Sequence, residues 1–310
     1  MLRISIIIPV FNAEKHLRRC LDSVLSSLGS IRGEIIAIDN DSKDDSLKIL
    51  KDYAHKYPRV VTVLQCHTPG AAAVRNYGAS RARGEYFWFI DADDTINRSA
   101  VSKLLKKAED KHADMVMLGM KRIYQDGSSN YLSAVDPKRE DYKSRFIRYG
   151  LGPVQVLIRR KWWTMNGFKF CEGIIQEDME LMSALILYTD NFACVDEPLY
   201  YYYQNPDSVL HKKDFSPHIF DIFPALEGLY TKFQNKGVES LYHDELEWFF
   251  IWNLLIDSAK DFTKFPEGKP GFARSREMLK KYFPKWRKNR FLREKPLKLQ
   301  ARVRLNYNKK

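Results

Sequence analysis

Three groups of acids in this chain of 310 residues fall where carboxylates can do chemistry. Asp91-Ala92-Asp93-Asp94 follows the apolar run 86–90. If that run is a strand, its two-residue period sends Asp91 and Asp93 into the same crevice. Acids so close repel, and one takes up a proton unless a cation intervenes. A hard divalent ion, Mg²⁺ or Mn²⁺, relieves the repulsion through oxygen ligands and keeps positions open for phosphate. Such an ion neutralises a departing diphosphate. The same four residues also read as a solvent-facing acidic turn ahead of a helix.

Asp39 and Asp41 follow a second apolar run, 34–38. A carboxylate at a strand end can accept hydrogen bonds from a ribose or a uracil imide, whereas Asp41, Ser42 or Asp44 can equally cap the next helix. The third group, Gln176-Glu177-Asp178-Met179-Glu180, opens an apolar-periodic segment. Acids are favoured in a first helical turn. A general base is the chemical alternative, taking a proton from a hydroxyl as its oxygen attacks a carbon that bears a leaving group. Asp178 is the choice for that role, with Glu177 in support. Arg75 sits in a helix ahead of the first acid group, where it can pair with Asp39 or Asp93 or contact a phosphate. His211 can serve a metal or diphosphate, or be a surface residue. Trp162 and Trp163 suit a sugar face and a core equally.

The surrounding pattern must place these side chains. Strands are expected at 4–8, 34–38, 60–64, 86–90 and 113–120, with helices at 14–28, 46–57, 71–83 and 99–111 between them. Leu17, Cys20, Leu21, Val24, Leu25 and Leu28 give the first helix one apolar stripe. This alternation predicts an α/β fold: an open, mostly parallel sheet with helices on both faces and ligands at the C-terminal strand ends. After residue 120, Asp126-Gly127 reads as a hairpin turn, and short strands at 192–195 and 198–202 as joined by a turn. The expected division is a nucleotide-binding, catalytic α/β domain over 1–210 and a helical appendage over 211–310.

The net charge of +12 is unevenly placed: residues 280–310 hold 13 of the 51 bases and one of the 39 acids, leaving 38 of each elsewhere. Basic residues interleaved with Tyr282, Phe283, Trp286, Phe291, Leu292 and Leu297 suit an anionic membrane surface, with nucleic acid the weaker match and a solvated basic end the plain reading. Pro284 and Pro296 keep any helix between them short. No stretch reaches 18 apolar residues and none reads as a signal peptide. The four cysteines form no CxxC pair, so a reducing compartment is expected; with the basic end, the expected setting is cytoplasmic, peripheral on the inner face of the cell membrane.

Taken in order, 6–12 (IIIPVFN), 34–42 (EIIAIDNDS), 70–78 with Arg75-Asn76, 84–94 (GEYFWFIDADD) and Glu177-Asp178 followed by 200–208 resemble the family 2 glycosyltransferases. The resemblance runs from residue 4 to about 210. It implies the A-type nucleotide-sugar fold and inverting transfer of a sugar from a nucleotide donor. It further implies that Pro9, Phe11 and Asn12 line the nucleotide, that Asp39 contacts uracil, and that Arg75 is the family's arginine. Asp91, Ala92 and Asp93 would be its metal motif, with Asp93 the direct ligand, Asp178 the base, and His211 a later ligand. Phe11 stands where Tyr is usual, and Asn40-Asp41 where Asp-Gly is common. The expected donor is a UDP-sugar, and the expected acceptor a saccharide or lipid-linked hydroxyl, as in bacterial capsule or lipopolysaccharide enzymes. Two rivals make different demands. A nucleotide-sugar pyrophosphorylase or nucleotidyltransferase needs a Gly-rich phosphate loop after the first strand, where this chain has PVFNAE. A non-enzymatic membrane or nucleic-acid module leaves the acids unexplained.

Overall fold

The structure, a computed structural model, describes residues 2–204 and 214–309. Its elements in chain order are β1 (Ile4–Val10), α1 (Glu14–Leu28), β2 (Gly33–Asp39), α2 (Ser46–Lys56), β3 (Val61–Gln65), α3 (Ala71–Arg81), β4 (Tyr86–Phe89), β5 (Thr95–Ile96) and α4 (Ala100–Asp110). There follow β6 (Met115–Ile123), β7 (Ser129–Leu132), α5 (Tyr142–Tyr149), β8 (Val156–Arg159), α6 (Arg160–Met165), α7 (Glu177–Met182) and β9 (Phe192–Tyr203). The rest is helical: α8 (Ile222–Asn235), α9 (His243–Trp252), α10 (Ser258–Lys264), α11 (Pro270–Tyr282), α12 (Arg290–Arg293) and α13 (Leu297–Asn308).

The described residues fall into two compact units. One holds 2–142, 152–173 and 188–204, and the other 143–151, 174–187 and 214–309. The first unit is built on a nine-stranded sheet ordered β3-β2-β1-β4-β8-β6-β9-β5, with β7 also pairing β6. The β3-β2-β1-β4 run is parallel, as the strand–helix alternation predicts. Beyond β4 the sheet is mixed: β8 is antiparallel to both neighbours, while β6 and β9 pair in parallel. The expected turn between 195 and 198 is a register shift within one strand, β9, opposite Leu118 and Gly119 of β6. The hairpin at Asp126-Gly127 joins β6 to β7.

Strand β1 shows why the helices lie on both faces. Its Ile4, Ile6, Ile8 and Val10 pack with Leu17, Leu21 and Val24 of α1 and Leu50 of α2. Ile7 points the other way, toward α3. A Cβ on Gly78 of α3 would lie 2.4 Å from Ile7 Cγ2 and 2.8 Å from Ile38 Cδ1, so only glycine lets α3 approach the sheet this closely. Trp163 of α6 covers the same face through edge contacts to Phe87 and Phe89.

The second unit buries its own apolar faces. Phe223 of α8 stacks on Phe262 of α10 at a 6.0 Å centroid separation, and Phe250 of α9 meets Phe283 at 4.9 Å. Among the described residues no helix is long and apolar enough to cross a membrane.

Candidate active site

The parallel pairing delivers the first group of site residues. Pro9 pairs Ile38 and Val10 pairs Asp39, so β1 and β2 end together. Phe11, the next residue, is 56% exposed, whereas Asp39 is 1% exposed. The Asp39 Oδ1 atom is buried and has no hydrogen-bond partner among the described residues. An unpaired buried carboxylate oxygen is costly, and a donor arriving with a ligand removes the cost.

The loops beyond these ends are tied to each other. Asn12 (φ +48°) donates its main-chain N–H to Ser42 Oγ at 3.1 Å, and its Oδ1 accepts from Lys43 N at 2.8 Å. Asp41 (φ +58°) occupies the left-handed region that glycine adopts freely. Its Oδ1 meets His67 Nδ1 at 2.7 Å rather than capping α2. Asp44 instead accepts from Ser46 N at 3.0 Å, where α2 begins. Asn40 stands out in the sequence only as a departure from the family pattern. It donates to Cys66 O (2.6 Å) and Thr68 O (2.9 Å) and accepts from Gly70 N (3.2 Å), locking the loop after β2 to the entry of α3.

The acid group stands one strand over. Ile90 N still donates to Ile7 O at 3.0 Å, so pairing persists to the residue before Asp91. The loop is pinned again by β5, which pairs Tyr200 and Tyr201 of β9. Between these fixed ends the three acids meet different partners. Asp91 Oδ1 accepts from Arg75 Nη2 at 3.1 Å. Asp94, fully buried, accepts from the Tyr200 hydroxyl at 2.6 Å and from Tyr203 N at 2.8 Å. The same Tyr200 oxygen accepts from Asp91 N at 3.2 Å. Arg19 of α1 donates to the main-chain carbonyl of Asp93 at 2.7 Å, with its guanidinium 3.8 Å above the Tyr203 ring. No other side chain hydrogen-bonds the Asp93 carboxyl among the described residues.

Burial, then the charge of Asp91, pushes the Asp93 carboxyl up to about 6. Burial, then Asp91 and Asp93, pushes Asp94 up to about 8 against the hydrogen bonds from Tyr200 and Tyr203. Asp91 and Asp93 therefore form an oxygen-only pair short of positive charge, the donor set that suits Mg²⁺ or Mn²⁺. Ala92 between them is buried.

Arg75 is 7% exposed on α3, with Phe170 5.8 Å from its guanidinium carbon. Its neighbour Asn76 holds the 170–172 segment, donating to Phe170 O (3.0 Å) and Glu172 Oε1 (2.9 Å) and accepting from Phe170 N (2.9 Å). Trp162 and Trp163 are both buried, and Trp162 Nε1 donates to Tyr188 O at 3.2 Å; both serve the core. Glu177 and Asp178 open α7, in the second unit, with Glu177 buried. His211 lies outside the described residues.

A second acidic group occurs in α9. His243, Asp244 and Glu247 bring one ligand atom each within 4.8 Å of one another. Asp244 is paired with Arg290 Nε at 3.1 Å, and Glu247 Oε2 accepts from Asn289 Nδ2 at 2.8 Å. Adjacent Glu245 Oε1 accepts from Arg290 Nη2 (2.8 Å) and Ser144 Oγ (2.7 Å). Burial pushes the Glu247 carboxyl up, against the hydrogen bond from Asn289.

Residues 5–165, a little more than half of the chain, match the family described as Glycosyl transferase family 2. The chain belongs to that family. Among curated relatives of this family 2 glycosyltransferase is EpsJ of Bacillus subtilis (strain 168), a glycosyltransferase 28% identical over 255 residues, 76% of this chain and 71% of EpsJ. Another is the poly(ribitol-phosphate) beta-N-acetylglucosaminyltransferase TarS of Staphylococcus aureus (strain Mu50 / ATCC 700699). It is 23% identical over 248 residues, 79% of this chain but only 43% of TarS, so the chain spans less than half of that relative. The crystal structure of S. aureus TarS 1–349 in complex with UDP-GlcNAc shares the fold, with a TM-score of 0.77 at 19% identity over 99% of this chain and 89% of that one. The glycosyltransferase fold thus extends over the helical end as well as the family-matched region.

Proposed function

We propose that this chain is an inverting transferase that moves a sugar from a UDP-linked donor to a hydroxyl of a saccharide or lipid-linked acceptor at a membrane surface. The observation that carries the reading is the arrangement at three adjacent strand ends. Exposed Phe11 follows β1, buried Asp39 with an unpartnered oxygen ends β2, and the Asp91–Asp93 pair follows β4. The TarS structures with UDP and with UDP-GlcNAc support a uridine donor. The fold is shared, at a TM-score of 0.55 and 13% identity, with the Pyrobaculum calidifontis mannosyltransferase PcManGT in complex with GDP-Man and Mn²⁺.

In this reading Phe11 offers its ring face to the base, beside Pro9 and Asn12. Asp39 Oδ1 accepts the imide N–H of uracil. Arg75 orients Asp91 and lends positive charge to the donor phosphates. Asp93 and Asp91 would hold a divalent cation, which supplies neutralisation of charge on the diphosphate. Asp178 takes the proton from the acceptor hydroxyl as that oxygen bonds to the anomeric carbon. The bond from that carbon to the diphosphate oxygen breaks, the electron pair leaves with UDP, and the configuration inverts. Glu177 supports the base.

Asp178→Asn should keep donor affinity and lower transfer by about 10²–10⁴-fold, the range for a positioned general base. Glu177→Gln should cost less. Transfer at the parent rate in Asp178→Asn would remove the base assignment. Thermal-shift screening against UDP-, GDP- and CMP-sugars, with and without Mn²⁺, tests the base and the cation together; a larger response to GDP- or CMP-sugars would overturn the uridine reading.

A further inference from the structure

The basic end of the chain is folded, and folding sorts its residues into two kinds. Of the aromatics that alternate with the bases, only Tyr282 is half-exposed. Phe283 and Trp286 are each 1% exposed, and Phe291 and Leu292 are also buried. Trp286 packs on Tyr307 at 5.0 Å, and Phe283 on Phe250. The membrane surface expected from those rings finds little support in them.

Helix α13 has a different outward face. One face is anchored inside the second unit through Val303, Asn306 and Tyr307, with Asn306 Nδ2 donating to Leu255 O at 2.8 Å. At 100° per residue, Leu297, Ala301 and Leu305 fall within about 80° of one another on the opposite face. Leu297 is 81% exposed and Leu305 64%. Arg304 borders this stripe on one side, and Lys298 and Arg302 on the other, all exposed. None of these three, nor Lys280, Lys285, Lys288 or Arg293, makes an ion pair among the described residues. Exposed leucines flanked by unpaired bases match a surface that is apolar inside and anionic at its edge.

We infer that α13 docks the chain on an anionic lipid bilayer, with Leu297 and Leu305 entering the headgroup boundary and Lys298, Arg302 and Arg304 engaging lipid phosphates. This deepens the membrane element of the proposed function and rests on it only for the acceptor's location. Anionic lipid is preferred to nucleic acid because the centre of the face is aliphatic and offers no ring for base stacking.

The test is co-sedimentation of the full chain with phosphatidylcholine vesicles, with and without phosphatidylglycerol, at low and high salt. Binding is expected only with phosphatidylglycerol and should weaken with salt. Lys298→Glu/Arg302→Glu/Arg304→Glu should lower partitioning by about a hundredfold or more, and Leu297→Ser/Leu305→Ser also by about a hundredfold. These positions are exposed, and circular dichroism checks that both variants fold. Failure to sediment with anionic vesicles, or sedimentation unchanged by both variants, overturns the inference. So does tighter, variant-sensitive retention on an RNA oligomer, or a leucine-dependent dimer in sedimentation velocity without vesicles. Affinity for a UDP-sugar, measured by calorimetry on the same samples, tests the proposed function separately.

Discussion

The acids after β4 and the acids of α9 are chemically alike, and both gather several carboxylates within a few residues. Their surroundings differ in where the compensating charge comes from. In α9, Arg290 reaches Asp244 and Glu245, while Asn289 holds Glu247. In the loop after β4, Arg75 reaches Asp91, but Arg19 meets only the Asp93 main chain, and Asp94 faces tyrosines. In α9 one arginine reaches two carboxylates; after β4 one arginine reaches the Asp91 carboxylate alone, and among the described residues the Asp93 carboxyl has no cationic side chain on it. The proposed cation site after β4 therefore rests on that uncompensated Asp93 carboxyl, not on proximity of acids alone.

Exchanging roles between the clusters tests this contrast most strongly. Asp93→Ala should abolish Mn²⁺-dependent donor binding and lower transfer by about a thousandfold, whereas Asp244→Asn should leave both unchanged. Calorimetry with a UDP-sugar, with and without Mn²⁺, reads the difference; equal losses in the two variants would erase the distinction. Removing the counter-charge is the next largest effect. Arg290→Met leaves buried Glu245 with a weaker set of partners and should cost about 1–3 kcal/mol, read from the urea midpoint.

Tyr200→Phe removes one donor to Asp94 and the acceptor for Asp91 N, and should cost about 1–2 kcal/mol. It should weaken Mn²⁺-dependent donor binding without removing it, because Asp93 remains. A donor affinity identical to the parent would mean that the tyrosine does not position the loop. The smallest effect concerns pH. The folded-state pKa of Glu247 is raised by burial, so folding favours its protonated form. Its contribution is present below the unfolded carboxylate range and is lost as pH rises through the raised value. Glu247→Gln should therefore narrow the gap to the parent in acid and flatten the fall in melting temperature above it. A parallel pH profile for parent and variant would show that this carboxyl titrates normally.

The strand ends were legible because buried parallel strands are continuous apolar runs, and polar residues that interrupt them mark where each run stops. That pattern was enough to put Asp39 at the end of β2 and Asp91 and Asp93 just beyond β4. It gave no role to Asn40, Asn76, Arg19 or Tyr200, which act through hydrogen bonds to residues 26 to 109 positions away. The run of tyrosines at 200–203 was the one available hint. The basic end was legible as charge but not as shape. Alternation of aromatics with bases looks the same whether the rings face a lipid or a core. Only the packing of Trp286 and Phe283 decides between those, and it hands the outward role to two leucines that composition does not distinguish from any others.

Gly78 has a consequence beyond the packing of one helix. Arg75 lies one turn before it, so the height at which that guanidinium stands above the crevice is set by two isoleucine side chains beneath the helix floor. A shorter residue at position 7 or 38 would let the floor sink and carry the arginine with it. Under the proposed role of Arg75, shortening Ile7 or Ile38 should change donor binding although neither side chain touches a ligand.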